Sequence, residues 1–169
     1  MKIGTAINYA RDFHSAVAEV VELEKAGLDV VWVSEAYSVD AVSRVGYLAA
    51  ATDTVEIGTG ILNVYSRSAA AIAQTAAGCD YVSNGRFILG LGASGPQVIE
   101  GFHGIAYDKP VKRIREYIEV TRMALKRERL EYDGDTVHLP LPEGEGTGLG
   151  KALILINPPV SDDVPIWCG

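Results

Sequence analysis

The feature that most constrains this chain is a rhythm of short, largely apolar runs alternating with segments whose apolar residues recur at helical spacing. Residues 2–8 (KIGTAIN), 29–35 (DVVWVSE), 55–61 (VEIGTGI) and 86–92 (RFILGLG) are runs of the first kind. Between them, Phe13, Val17, Val20 and Val21 share one helical face that Gly27 terminates. Residues 40–52 read as a second helix and the alanine-rich stretch 68–83 as a third. A fourth helical pattern, with Ile114, Tyr117, Ile118, Thr121 and Leu125, occupies about 109–128. A strand apolar along its whole length needs cover on both faces, which is the environment of a parallel sheet. Each parallel pairing needs a crossover, and here the crossovers are helices. The expected class is α/β.

After residue 128 the rhythm breaks. Asp133-Gly134 lies between two short β-prone runs in LEYDGDTVHL (130–139), a hairpin signal. A Pro- and Gly-rich loop follows (140–150), then KALILI, and finally PIWCG, read as a fifth buried strand. The region 129–151 is thus an excursion from the strand–helix order.

The stretch ILGLGASGP (88–96) fits G-x-G-x-x-G through Gly90, Gly92 and Gly95. A dinucleotide-binding fold carries that pattern on its first strand–helix turn, with an acidic residue about 20 positions on at the next strand's end. Here three strand–helix units precede it, Glu116 and Glu119 fall inside a helix, and Pro96 follows Gly95 directly. The turn is better placed as the fourth strand–helix loop of a (β/α)8 (TIM) barrel, on the face where such barrels keep their active sites.

With 169 residues the chain is one domain, and its net charge of −7, from 22 acidic and 15 basic residues, argues against a nucleic-acid surface. Lys112, Arg113, Arg115, Arg122, Lys126, Arg127 and Arg129 cluster, but Glu116, Glu119 and Glu128 are interleaved, so the region reads as a solvated helix face. Cys79 and Cys168 have no metal-ligand spacing, and no metal site is expected. No run approaches the roughly 20 apolar residues of a membrane helix, and the start lacks a secretory signal. A cytoplasmic protein with no membrane partner is expected.

The runs SGPQVIEGFHG (94–104), EGEGTGLGK (143–151) and GILNVYSRS (60–68) resemble the luciferase-like monooxygenase family, most closely its branch of oxidoreductases that use the deazaflavin coenzyme F420. The resemblance covers essentially the whole chain and implies a (β/α)8 barrel with a deazaflavin or flavin at the C-terminal ends of its strands. It implies hydride transfer between that ring and an organic substrate. It places a non-proline cis peptide at Gly60–Ile61, behind the ring. It makes Glu35, at the end of strand two, a candidate catalytic acid–base group or hydrogen-bond acceptor. Asn63, Tyr65 and Arg67 match a polar run lining the family's cleft, and Ala93, Ser94 and Gly95 match the strand-four loop beside the cofactor. The candidate cofactor-binding residues are therefore Gly60, Ile61, Asn63, Ala93, Ser94 and Gly95.

Two departures matter. The sugar-phosphate dehydrogenases of the family carry a histidine after the strand-two acid, where this chain has Ala36, and a glutamate in the strand-four loop, where it has Gly95. A sugar phosphate is therefore not expected as substrate. His103 lies near the cleft and reads as a helix-end histidine. FMN with oxygen is the alternative chemistry, and a truncated, non-catalytic half barrel the alternative of another class. A barrel of this kind needs about 250 residues. Residues 1–169 are therefore expected to be its N-terminal part, with either a further C-terminal half or a second copy covering the open edges.

Overall fold

A computed structural model of the chain describes residues 1–7, 12–161 and 163–169. Asn8, the last residue of the first expected strand, lies outside the described residues. The elements run β1 (Gly4–Ile7), α1 (Phe13–Lys25), β2 (Val30–Val33), α2 (Ala41–Ala51), β3 (Glu56–Thr59), β4 (Leu62–Asn63), α3 (Ala69–Val82), β5 (Phe87–Gly92), α4 (Pro96–Gly101), α5 (Pro110–Leu125), β6 (Tyr132–Asp133), β7 (His138–Leu139) and β8 (Ile166–Cys168).

The helices begin where side chains satisfy their first free amides. Asp12 accepts from the Ser15 amide, Asp40 from the Ser43 amide at 2.9 Å and Ser68 from the Ala71 amide at 3.2 Å. Gly27, at φ 96°, supplies the left-handed turn that ends the first strand–helix crossover.

β1, β2, β3, β5 and β8 pair in parallel, each with the next. β4 continues β3 beyond the Gly60–Ile61 bond and pairs with the end of β5. The strands thus follow one another across the sheet in chain order, without the reversal that marks a doubly wound sheet. This is the winding of a (β/α)8 barrel, carried through its first five strands. The core lies between the sheet and its helices. Val31, Val33, Ile57, Phe87, Leu89 and Leu91 from the strands meet Val45, Leu48, Ile72, Ala76 and Val120 from the helices, all essentially without solvent contact.

The opposite face of the sheet is lined by Trp32, Gly58, Gly90, Gly92 and Trp167. A Cβ on Gly58 would meet the Trp32 ring at 2.3 Å, and one on Gly90 would meet the Thr59 carbonyl oxygen at 1.8 Å. A Cβ on Gly92 would meet Ile61 at 2.9 Å. These three glycines answer to intramolecular close approach, which explains most of the G-x-G-x-x-G pattern without a phosphate. Gly95 completes it as the residue before α4.

The third strand is interrupted at the Gly60–Ile61 bond, which is cis, as the resemblance implied. Two details differ from the sequence reading. A short helix, α4, begins at Pro96, where proline's fixed φ and missing N–H suit a first turn. PIWCG does form a fifth parallel strand, but it is not buried: Trp167 is 56% exposed, since β8 pairs with β5 on one side and has no strand on the other among the described residues. KALILI, to which the sequence reading gave no element, forms no strand. Its backbone is tied down by Leu130 N–H to the Leu153 carbonyl and by Arg127 Nε to the Leu155 carbonyl. Among the described residues, no helix is long and apolar enough to cross a membrane.

Candidate functional site

At the C-terminal ends of β2, β4 and β5 the chain leaves a cavity of about 240 Å³. Ser34, Glu35, Ala36, Gly60, Ile61, Asn63 and Ser94 line it. It thus brings together five residues singled out from sequence: Glu35, Gly60, Ile61, Asn63 and Ser94. Ala93 and Gly95 flank Ser94 without lining the cavity; Ala93 is packed in the core. Ser34 and Ala36 enter the wall because they bracket Glu35 on the loop leaving β2. No chemical signal in their side chains marks them in the sequence.

Glu35, 7% exposed, is the charged group of the wall. Arg67 grips it as a fork: Nη2 donates to Oε1 at 2.6 Å and Nη1 to Oε2 at 2.8 Å. The Ala41 amide at the start of α2 also donates to Oε1, at 3.2 Å. The hydrogen bonds to Glu35 raise the Arg67 guanidinium above its ordinary value and outweigh the opposing effect of burial. Arg67 stands behind the carboxylate: Glu35 lines the cavity and Arg67 does not. Arg44 ties the same loop down, donating to the carbonyls of Ser34, Val39 and Asp40. Its burial lowers its pKa.

Asn63 is buried, and its Oδ1 accepts from the amides of Tyr65 (3.0 Å) and Ser66 (2.7 Å). With its oxygen committed, its Nδ2 faces His103 Nε2 at 3.4 Å. His103 lies just past the end of α4, as the sequence suggested, and it also reaches the cavity wall. Tyr65 is a support: its hydroxyl donates to the Asp108 carbonyl at 2.6 Å, Tyr107 stacks on its ring, and Arg113 lies 4.7 Å from the ring centroid. Burial raises the Tyr65 phenol above its ordinary value. Arg113 is thus held inside this stack and is not part of a solvated face. The Tyr107 hydroxyl donates to the Ser94 carbonyl at 3.1 Å, joining the stack to the cavity.

The wall holds two non-glycine residues in the left-handed region, Ala36 at φ 49° and Ser94 at φ 57°. Such conformations are costly for side-chain-bearing residues and concentrate where a site fixes its backbone. A second groove, about 620 Å³, lies between α3, α5 and residues 153–158. It is lined mostly by alanines and aliphatic side chains, without a carboxylate, histidine or arginine. Among the described residues, no group of three or more His, Cys, Asp or Glu is placed to hold a metal ion. The chemistry-bearing groups converge at the strand tips.

The chain is 40% identical over its whole length to a protein of Mycobacterium tuberculosis assigned to the coenzyme F420-dependent oxidoreductases, of which it spans 50%. Its fold superposes with TM-score 0.80 on the coenzyme F420-dependent tetrahydromethanopterin reductase of Methanopyrus kandleri, at 23% identity, covering 99% of this chain and 50% of that one. The oxygenating constituent of 3,6-diketocamphane monooxygenase of Pseudomonas putida, solved with FMN, matches with TM-score 0.75 at 18% identity, covering 99% of this chain and 51% of that one. The chain thus spans about half the length of the first relatives it matches. The sequence profile of the luciferase-like monooxygenases matches residues 1–169 throughout. The chain belongs to the luciferase-like monooxygenase family.

Proposed function

We propose that this chain supplies the N-terminal half of an F420-dependent oxidoreductase, and that the cavity between Glu35, Gly60–Ile61 and Ser94 receives the deazaflavin ring. The observation that carries this reading is Gly60. The protein fills the side-chain space of Gly58, Gly90 and Gly92, whereas a Cβ on Gly60 would have only Trp32 nearby, at 3.7 Å. Gly60 therefore presents bare backbone to the cavity, which lets a flat ring lie close. Ile61 adds an apolar surface, and Glu35, Asn63 and Ser94 offer polar groups for a heteroaromatic edge. Ala93 and Gly95 hold the turn that presents Ser94.

When bound, the deazaflavin gives or takes a hydride, and the protein contributes orientation and electrostatics. The chain's own residues hold the ring between Gly60–Ile61 and the Ser94 loop, and they set an acidic group, Glu35, at its edge. The organic substrate then approaches from the open side. The F420-linked relative and the Methanopyrus kandleri reductase support this reading. FMN is the second reading, favoured by the FMN-bound neighbour of the same fold. The exposed inner face around Trp167 supports completion of the barrel by further polypeptide or by a second copy.

Equilibrium titration with coenzyme F420 and with FMN, followed by ligand fluorescence, tests the reading. Tighter binding of F420 is expected. Tighter binding of FMN would replace the cofactor, and binding of neither would leave a non-catalytic half barrel.

A further inference from the structure

We propose that Arg67 is the positioning residue of this cavity, acting on the bound ring only through Glu35, whose carboxylate it fixes as a hydrogen-bond acceptor in the wall. The proposal rests on the reading that the cavity holds the deazaflavin.

Three observations support it. First, the pair is bidentate and shielded: the Glu35 side chain is 8% exposed and that of Arg67 20%. A planar fork held this way fixes the orientation of a carboxylate as well as its place, which a lysine cannot do. Second, Arg67 is itself anchored from three sides. Its Nη1 also donates to Ser66 Oγ at 3.1 Å, the Tyr117 hydroxyl donates to its carbonyl at 2.9 Å, and the adjacent Ser68 caps α3. Third, Arg67 does not line the cavity, but Glu35 does. Whatever Arg67 does to a ligand at these strand tips is relayed by the carboxylate.

The donors also define what Glu35 accepts. Each carboxylate oxygen has about two acceptor positions. Among the described residues, Oε1 takes Arg67 and the Ala41 amide, whereas Oε2 takes Arg67 alone. The described residues thus leave one position on Oε2 for a ligand, and it suits an N–H or O–H donor, not an anion. The ring edge facing Glu35 is thus a donor edge, such as an imide N–H or a ring hydroxyl. The ligand's anionic groups lie elsewhere.

Affinities of the protein for coenzyme F420, measured by fluorescence for the wild type, Arg67→Met, Glu35→Gln and the double variant, test the relay. Arg67→Met and Glu35→Gln are each expected to weaken binding by about 30-fold or more, as loss of one partner of a buried pair does. In the Glu35→Gln background, Arg67→Met is expected to add less than about twofold. A merely structural arginine would weaken binding equally in both backgrounds, and that result overturns the proposal. So does an Arg67→Met affinity within about twofold of wild type. Circular dichroism reports whether Arg67→Met folds. Should it not, Arg67→Lys keeps the charge without the fork, and must weaken binding in the wild-type background alone. Failure of the wild type to bind F420 is a separate result: it removes the ring-binding reading, and this proposal with it.

Discussion

Glu35 at the strand tips and Glu116 beneath the 129–151 excursion are equally buried, each 7% exposed, yet their surroundings are opposite. Glu116 faces backbone. It accepts from the amides of Asp135 (2.8 Å), Thr136 (2.9 Å) and Val137 (3.0 Å) and from the Thr136 hydroxyl at 2.6 Å. That set closes the turn between β6 and β7 onto α5 and leaves little acceptor capacity over. Glu35 faces an arginine on one side and a cavity on the other, among residues in costly backbone conformations. Burial alone therefore does not distinguish a carboxylate that borders a cavity from one that anchors a turn. What each faces does.

The largest expected effect tests the support behind the strand tips. Both the amide and the carbonyl of Gly90 bond the Thr59 hydroxyl at 2.9 Å, with the Thr59 backbone against its Cα. Gly90→Ala must displace a core strand, at a cost of about 3 kcal/mol or more, read as loss of cooperative thermal unfolding. Glu116→Ala comes next. It strands three amides and a hydroxyl, and should cost about 3 kcal/mol, read as a fall in Tm of roughly 6–12 °C. Binding at the strand tips should stay unchanged, which breaks the comparison if it fails.

The pH dependence of stability sharpens the same contrast. Burial alone would raise the Glu116 carboxyl, but the Thr136 hydroxyl and the three amides outweigh it and hold the group below its usual value of 4.5. A depressed carboxyl contributes stability that is complete above its unfolded value and lost as the pH falls through its folded one. Denaturant midpoints should therefore drop below about pH 4.5, and drop less steeply in Glu116→Gln. Ala36→Gly carries the smallest effect. Relief of the left-handed conformation should raise stability by about 0.5–1 kcal/mol, after the added freedom of the unfolded glycine is set against it. A fall in Tm would show that the loop leaving β2 stores no strain.

Legibility in the sequence followed the same divide. Helix starts at Asp40 and Ser68 and strands such as β2 and β5 were readable because period and cap chemistry are local signals. The strand-tip residues Glu35, Gly60, Ile61, Asn63 and Ser94 were identifiable through resemblance to a family and lie on one cavity. The Arg67–Glu35 pair was not, since its members are 32 positions apart and only the barrel winding brings β2 and α3 together. Ser34 and Ala36 line the wall through position alone. The interruption at Gly60–Ile61 followed from the resemblance and not from any local rule. KALILI was left without an element, because an apolar run looks the same whether it pairs in a sheet or lies across two helices.

The most direct test of the central claim is a crystal structure of the protein with coenzyme F420. The account predicts the ring between Glu35, the Gly60–Ile61 backbone and Ser94, with a donor edge toward Glu35. A ring lodged in the apolar groove along α3, or a cofactor phosphate beside Gly92, would contradict it.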